Sequence, residues 1–251
     1  MACGGVALRL GLLAGIAGAV TVAPAFAQDE EEAPRRKAAI AMVLFGSLEA
    51  GPAKNFASVG LKRAFGAGGL DASGFRAMLN IGMSREQTHR TPPHGITEKA
   101  EVQTLIGYEW RIGDTFLALY AGTDFQSEQR VCICAVAPSA RSGQRIQADL
   151  WSTPFEGMMV QASAYASTID RRLWGRVSPG WALPQGIQEQ PLYIGPELEF
   201  YRERDYAKLR LGLHLSGLRL LGLTWRLAGG WQRTSDRPSE VYGTLSLYWR
   251  R

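Results

Sequence analysis

The sequence is poor in cysteine, has no block of basic residues and, beyond residue 27, contains no long apolar run. Without an apolar run of roughly 18 residues or more, we do not expect membrane-spanning helices in the rest of the chain. The 28 basic and 23 acidic residues are interspersed and form no basic patch among stacking aromatic rings, so nucleic acid is not an expected partner. We expect neither a metal nor a cofactor.

The N-terminus has the organisation of an export signal. Arg9 precedes an apolar segment over residues 10–22, and Ala25 and Ala27 form an A-x-A cleavage motif. The apolar segment is short for a membrane span, which needs about 20 residues. We therefore predict a signal peptide over residues 1–27 that is cleaved after Ala27.

The exported chain begins with a charged segment and has one pair of cysteines. Residues 28–37 are expected to form a solvated lead-in on the periplasmic side, which leaves residues 38–251 as one domain. Cys132 and Cys134 form a C-x-C pair, too small a set for a structural zinc site. In an oxidising compartment the pair either closes a small local disulfide or stays reduced in a loop.

Residues 191–216 alternate between two unlike sets of side chains. One set is apolar: Leu192, Ile194, Pro196, Leu198 and Phe200, followed by Leu209, Leu211, Leu213 and Leu215. The other set is polar or charged, with Tyr193, Glu197, Glu199, Tyr201, Lys208, Arg210, His214 and Ser216 among its members. A period of two indicates extended strands with two different faces. Strands of about 9–11 residues with one apolar and one charged face are typical of a transmembrane β-barrel.

The same alternation recurs along the domain and predicts about twelve strands, within a range of ten to fourteen. The remaining predicted strands cover residues 38–49, 56–65, 75–84, 99–112, 115–127, 143–153, 158–169, 173–183, 220–233 and 240–249. Residues 87–98 and 128–142 are predicted to be long polar loops, and residues 170–172 a short one. The predicted fold class is therefore an all-β, antiparallel, up-and-down transmembrane barrel, with a soluble β-sandwich as the alternative.

The strand pattern also predicts which side chains face the interior of the barrel and which face the membrane boundary. We expect an inward mixed-charge network of Arg76, Glu101, Glu109, Arg111, Asp124, Arg145, Asp149, Glu197, Glu199, Lys208, Arg210, His214 and Arg226. Trp110, Trp181 and Trp249 fall at the turn-side ends of their strands, where an aromatic girdle is expected. An exported barrel of this kind is expected in the outer membrane of a Gram-negative bacterium, in contact with its lipid.

Several stretches resemble the bacterial cellulose biosynthesis protein BcsS family. They are G-G-L-D-A-S-G-F-R at residues 68–76, I-G-Y-E-W-R-I-G at 106–113, L-Y-I-G-P-E-L-E-F-Y at 192–201, L-R-L-G-L-H-L-S-G-L at 209–218 and Y-G-T-L-S-L at 242–247. The resemblance implies an outer-membrane protein associated with cellulose synthase components, with cellulose and those subunits as partners. It implies no reaction and no catalytic residues.

From this resemblance we predict a non-catalytic protein that assists cellulose production or export as a channel, scaffold or regulator. Proteins that handle cellulose stack sugar rings on aromatic side chains, and Trp151, Trp174, Tyr193 and Tyr201 fall on inward faces. A general small-solute channel is the alternative hypothesis.

His214 and Ser216 raise a second alternative, a lipid-modifying barrel enzyme. Residues two apart in a strand share a face, and lipid A deacylases use a histidine and a serine at this spacing. In those enzymes the pair faces lipid, whereas here Leu211, Leu213 and Leu215 occupy the lipid-facing positions. His214 and Ser216 are therefore expected inside the barrel, with His214 beside Arg210.

Overall fold

The computed structural model describes residues 40–52, 54–88, 95–131, 138–184 and 190–250. The predicted signal peptide, the charged lead-in and the cysteine pair lie outside the described residues, so all three remain predictions. Within the described ranges, no helix is long and apolar enough to cross a membrane.

Twelve antiparallel strands form one closed barrel. The strands are β1 (Met42–Ala50), β2 (Lys54–Ala64), β3 (Gly74–Thr88), β4 (Gly95–Ile112), β5 (Thr115–Val131), β6 (Ser139–Phe155), β7 (Met158–Ser167), β8 (Arg172–Ala182), β9 (Tyr193–Glu203), β10 (Tyr206–Leu220), β11 (Leu223–Thr234) and β12 (Glu240–Arg250). Each strand pairs with the next, and β12 closes on β1, where Val43 pairs with Arg250. The predicted up-and-down barrel is confirmed. We call the end that holds Met42 and Arg250 the terminal end, and the opposite end the loop end.

Alternation along the strands separates an exposed apolar wall from a buried polar interior. On β10, Leu211 and Leu213 are each 61% exposed, whereas Arg210 and His214 are each 2% exposed. Large apolar side chains are exposed in the same way on β1 to β6 and on β8 to β12. A protein surrounded by water rarely exposes such a continuous apolar surface, whereas hydrocarbon would cover it.

The terminal end is partly filled by a short 3₁₀ turn, Gly69–Asp71. Its Leu70 packs against Val43 and Ala64, and the Leu70 amide donates a hydrogen bond of 2.7 Å to the carbonyl of Ile40. The turn thereby buries an apolar side chain that the strand pattern alone leaves in a loop.

The predicted long loops over residues 87–98 and 128–142 are wrong in extent, because β3 to β6 continue into both. Arg85 on β3 pairs with Glu98 on β4 at 3.8 Å within this extension. Polar side chains on both faces suit strands that project beyond an apolar wall, since water then covers each side. The alternation that identifies a membrane strand is lost there, although the ladder of backbone hydrogen bonds continues.

The start of β8 also differs from the prediction of a loop over residues 170–172. Arg172 is the first residue of β8, is 3% exposed and points into the barrel. The strand continues through Pro179, although its ladder with β9 is interrupted between Val177 and Trp181. Proline lacks the N–H that a ladder requires, which accounts for the interruption.

Candidate functional site: the charged lumen

The interior of the barrel holds a cavity of about 990 Å³, which we call the lumen. Side chains from all twelve strands line it, from Asp114 in the turn after β4 at the terminal end to Tyr206 at the loop end. Most of its charged side chains belong to four ion-pair clusters. Within the described part of the chain, no group of three or more His, Cys, Asp or Glu side chains could hold a metal ion.

The first cluster joins β1 to β9 and β10. Arg210 contacts the carboxylate of Glu49 with both terminal nitrogens and donates to Glu199 at 3.1 Å and to Gln232 at 3.0 Å. Lys208 lies 3.2 Å from Glu199 and 3.9 Å from Glu49. Because β1 and β10 are separated by two strands in the barrel, these contacts bridge one side of the lumen.

The second cluster joins β8 to β4 and β5. Arg172 donates to Glu101 at 2.6 Å and to Asp124 at 3.1 Å. Arg145 lies 3.8 Å from Asp124, and its guanidinium sits 3.4 Å from the ring centre of Tyr165. Three strands separate β8 from β4 in the barrel, so the contact between Arg172 and Glu101 crosses more of the lumen than a contact between adjacent strands does.

The third cluster joins β9 and β11 across β10. Arg226 contacts the carboxylate of Glu197 and donates to Ser178 at 3.0 Å, and Ser178 donates to Glu197 at 3.0 Å. Glu197 therefore pairs with β11 rather than with a cation of β10. The β10 residue opposite Glu197 is Gly212, where a Cβ would lie 2.6 Å from the hydroxyl of Tyr242, so a side chain has no room here.

The fourth cluster lies on β2, β3 and β4. Lys62 and Arg76 contact Glu109 at 3.0 Å and 3.5 Å. Asp149 lines the lumen and accepts a hydrogen bond from a neighbouring glutamine. Arg111 departs from the predicted network, because it is exposed and donates to a backbone carbonyl of the 3₁₀ turn at the terminal end. It therefore lies at the rim of the lumen.

The four inward aromatic residues named from the sequence all line the lumen. Trp174 stacks on Tyr165 with ring centres 5.4 Å apart, and Tyr201 donates to Glu203 at 2.6 Å. Trp151 packs near Phe116, with ring centres 5.8 Å apart, and Tyr193 is half-buried.

Three tryptophans lie on the outer wall. Trp110, Trp181 and Trp249 each lie within two residues of the strand end at the terminal end of the barrel, and they are 38%, 53% and 38% exposed. They share one rim, as an aromatic girdle would.

Sequence reasoning missed Glu49 and Arg172, the two residues whose contacts reach farthest across the lumen. Glu49 occupies an inward position of β1, but the prediction for this strand named only its apolar face. Leu48 is 55% exposed on the outer wall, and alternation along the strand places the next residue, Glu49, on the inward face. Arg172 belongs to the charged segment 170–172, which was predicted to be a loop, so no alternation marked it as inward.

His214 and Ser216 both face the interior. Ser216 Oγ lies 2.9 Å from His214 Nδ1, and His214 Nε2 lies 2.9 Å from the carbonyl oxygen of Pro179. Both ring nitrogens of His214 therefore have hydrogen-bond partners. The predicted neighbour Arg210 is not one of them, because it pairs with carboxylates.

A family model described as cellulose biosynthesis protein BcsS matches residues 43–251. The match includes β1 and the segment between β5 and β6, for which the sequence motifs supplied no counterpart. No curated protein sequence matches the chain.

Several solved barrels resemble the structure at low identity. The translocator domain of autotransporter NalP from Neisseria meningitidis is 13% identical, with a TM-score of 0.49, covering 87% of this chain and 90% of that one. A KdgM porin is 9% identical, with a TM-score of 0.48 and coverage of 82% and 98%. LpxR from Salmonella typhimurium is 12% identical, with a TM-score of 0.46 and coverage of 82% and 99%. At these values the similarities say nothing about what this chain does.

Proposed function

The chain belongs to the cellulose biosynthesis protein BcsS family, and from this premise we propose that it spans the outer membrane and assists cellulose production or export. Its task in this proposal is to hold or pass a glucan chain, and no step of glucan polymerisation is assigned to it. The observation that carries the proposal is a polar, aromatic-lined lumen inside an apolar wall.

The wall supports the membrane location. The outward side chains of β10 are apolar, with Leu209, Leu211 and Leu213 between 53% and 61% exposed, and Trp110 and Trp249 lie near the terminal end. A closed barrel leaves no unpaired strand edge, so its backbone polar groups are satisfied without water. Export followed by barrel insertion would place such a chain in the outer membrane of a Gram-negative cell, in contact with lipid.

The size of the lumen supports a single chain as its occupant. A cavity of about 990 Å³ is far too small for a folded protein, whereas a segment of an extended polymer needs much less volume. The Arg210–Glu49 and Arg172–Glu101 contacts narrow the lumen in the half nearer the loop end.

The chemistry of the lining suits a neutral polyhydroxylated ligand. Carboxylates accept hydrogen bonds from hydroxyl groups, and guanidinium groups donate hydrogen bonds to them. Trp174, Tyr201 and Trp151 offer rings on which a sugar can stack. We therefore propose that cellulose, or a segment of it, contacts this surface, with other cellulose-synthesis subunits as partners at the ends of the barrel.

A deletion and complementation experiment tests the proposal. Deleting the gene should lower the amount of secreted cellulose, and the wild-type gene should restore it. A Trp174→Ala, Tyr201→Ala double variant should fail to restore it, whereas Trp231→Ala, which alters a 69% exposed side chain on the outer wall, should succeed. Unchanged secretion after deletion would contradict a role in cellulose production.

Conductance distinguishes glucan passage from the alternative of a general small-solute channel. The purified barrel in a planar bilayer should show a small conductance that soluble cello-oligosaccharides reduce. Conductance insensitive to these oligosaccharides but blocked by unrelated solutes of similar size would favour the general channel.

A further inference from the structure

His214 is held in one tautomer by its surroundings. A carbonyl oxygen only accepts hydrogen bonds, so the 2.9 Å contact with Pro179 requires that His214 Nε2 carries the proton. Nδ1 is then unprotonated and accepts the hydroxyl proton of Ser216 at 2.9 Å. The contact has the direction needed for a histidine base that activates a serine.

The backbone around His214 is shaped to receive its ring. A Cβ on Gly180 would lie 3.1 Å from His214 Cε1, and a Cβ on Gly195 would lie 2.0 Å from the carbonyl oxygen of Pro179. Gly195 therefore needs glycine for this close approach, and a side chain at Gly180 would crowd the ring. The hydrogen bond to the Pro179 carbonyl and the close backbone packing at Gly180 and Gly195 fix the orientation of the imidazole.

Ser216 lies beside a β-bulge and faces the lumen. The ladder between β10 and β11 shifts between Ser216 and Leu218, and the intervening Gly217 has φ of +92°. Bulges re-aim neighbouring side chains and are common next to active sites. Ser216 and Gly217 both line the lumen, so a ligand in the cavity would contact this part of β10.

Arg226 lies opposite Ser216 in the ladder between β10 and β11. It is the direct cross-strand neighbour of Ser216, which places the two Cβ atoms about 4.5–5.5 Å apart. Its Nη2 is held by Ser178 and Glu197, whereas its buried Nε and Nη1 have no hydrogen-bond partner among the described residues. Arg226 is 2% exposed and lines the lumen. Two guanidinium nitrogens, which carry three N–H groups, therefore remain available to donate to a developing negative charge.

We propose that Ser216, His214 and Arg226 form an acyl-transfer site that hydrolyses small O-acyl esters within the lumen. Ser216 is the nucleophile, His214 the general base and Arg226 the donor to the oxyanion, while the carbonyl of Pro179 positions the imidazole. A nucleophile bonded to a base, a base bonded to an orienting group and a nearby oxyanion donor together define this reaction class. The site faces the interior, so its substrate enters through the lumen and not from the lipid.

The proposed reaction proceeds in two halves. Ser216 Oγ attacks the ester carbonyl carbon while its proton passes to His214 Nδ1, and Arg226 donates to the resulting oxyanion. The bond to the alcohol oxygen then breaks, and the alcohol leaves with the proton from His214. Water attacks the acyl-serine by the same route, which releases a carboxylic acid and restores Ser216.

Covalent labelling of the full chain, folded in detergent micelles, tests the site directly. A fluorophosphonate probe should form one adduct, and peptide mass mapping should place it on Ser216. An adduct on another serine, or none on a chain that is folded by its heat-modifiable electrophoretic mobility, would overturn the proposal. This result does not depend on the folding of any variant.

Hydrolysis of 4-nitrophenyl acetate provides the second readout. Ser216→Ala should reduce the rate to that of the uncatalysed background, and His214→Gln should reduce it by about 10²–10⁴-fold. Arg226→Lys, which keeps the charge, should reduce it by about 10²-fold. Ser246→Ala is the matched control, because Ser246 is the other cross-strand neighbour of Arg226, lines the lumen and has no assigned role. Equal rates for wild type and Ser216→Ala would refute the site, whatever the cellulose experiments show.

Discussion

Truncation of Arg210 to alanine is expected to lower the free energy of unfolding of the barrel by about 3 kcal/mol. The change removes the contacts to Glu49, the 3.1 Å hydrogen bond to Glu199 and the 3.0 Å hydrogen bond to Gln232. The Arg210 side chain is 2% exposed, and those of Glu49 and Glu199 are 15% and 8% exposed, so water would not readily replace the lost partner.

The magnitude follows from the charges that remain after the truncation. Removing one partner of a buried ion pair typically costs about 3–5 kcal/mol, because the other charge stays buried without compensation. Lys208 lies 3.2 Å from Glu199 and 3.9 Å from Glu49, so it offsets part of the loss. We therefore expect the lower end of the range. A double variant, Arg210→Met with Glu49→Gln, should recover at least half of the loss, since neither variant residue is charged.

Equilibrium unfolding in urea, followed by tryptophan fluorescence with the barrel in lipid vesicles, measures the effect. The control is Arg85→Ala, which removes an ion pair with Glu98 whose side chains are 63% and 52% exposed. An exposed pair contributes about 0–1 kcal/mol, so the control should be nearly neutral. If Arg210→Ala lowered the unfolding free energy no more than Arg85→Ala does, the lumen contacts would not stabilise the barrel.

Three further predictions concern the backbone, the wall and the lumen. Gly195→Ala should prevent folding, because the new Cβ would lie 2.0 Å from a carbonyl oxygen of β8. Gly243→Ala should fold normally, because no atom lies within 4 Å of the Cβ position. Heat-modifiable mobility on a gel measures folding of both variants. Leu211→Arg should lower the unfolding free energy in vesicles by about 2–4 kcal/mol if β10 spans the bilayer, whereas the same change at Leu221, an 85% exposed turn residue, should be nearly neutral. Arg172→Ala should raise the single-channel conductance in planar bilayers, since it removes contacts that reach from β8 to β4; an unchanged conductance would show that this bridge does not limit the lumen.

Local patterns predicted the strands well where one face is polar and lines the lumen and the other is apolar and forms the outer wall. Residues 191–216 show this most clearly, since β9 and β10 alternate strictly and a short turn between them sets Arg210 opposite Glu199. The pattern weakened where both faces are polar, so the loop-end extensions of β3 to β6 were not predicted. The run of charged residues 170–172 was predicted to be a loop, which left Arg172 outside the predicted strand, although β8 begins there.

The sequence by itself determined the fold class, the family and the two faces of the strands with clear alternation, because each of these depends on residues close together in the chain. It also placed His214 and Ser216 on one inward face. Only the tertiary structure decided that Glu49 meets Arg210, 161 residues away, and that Arg226 lies beside Ser216 with free donors. Contacts across a barrel depend on how its strands tilt and stagger when it closes, and no single strand contains that information.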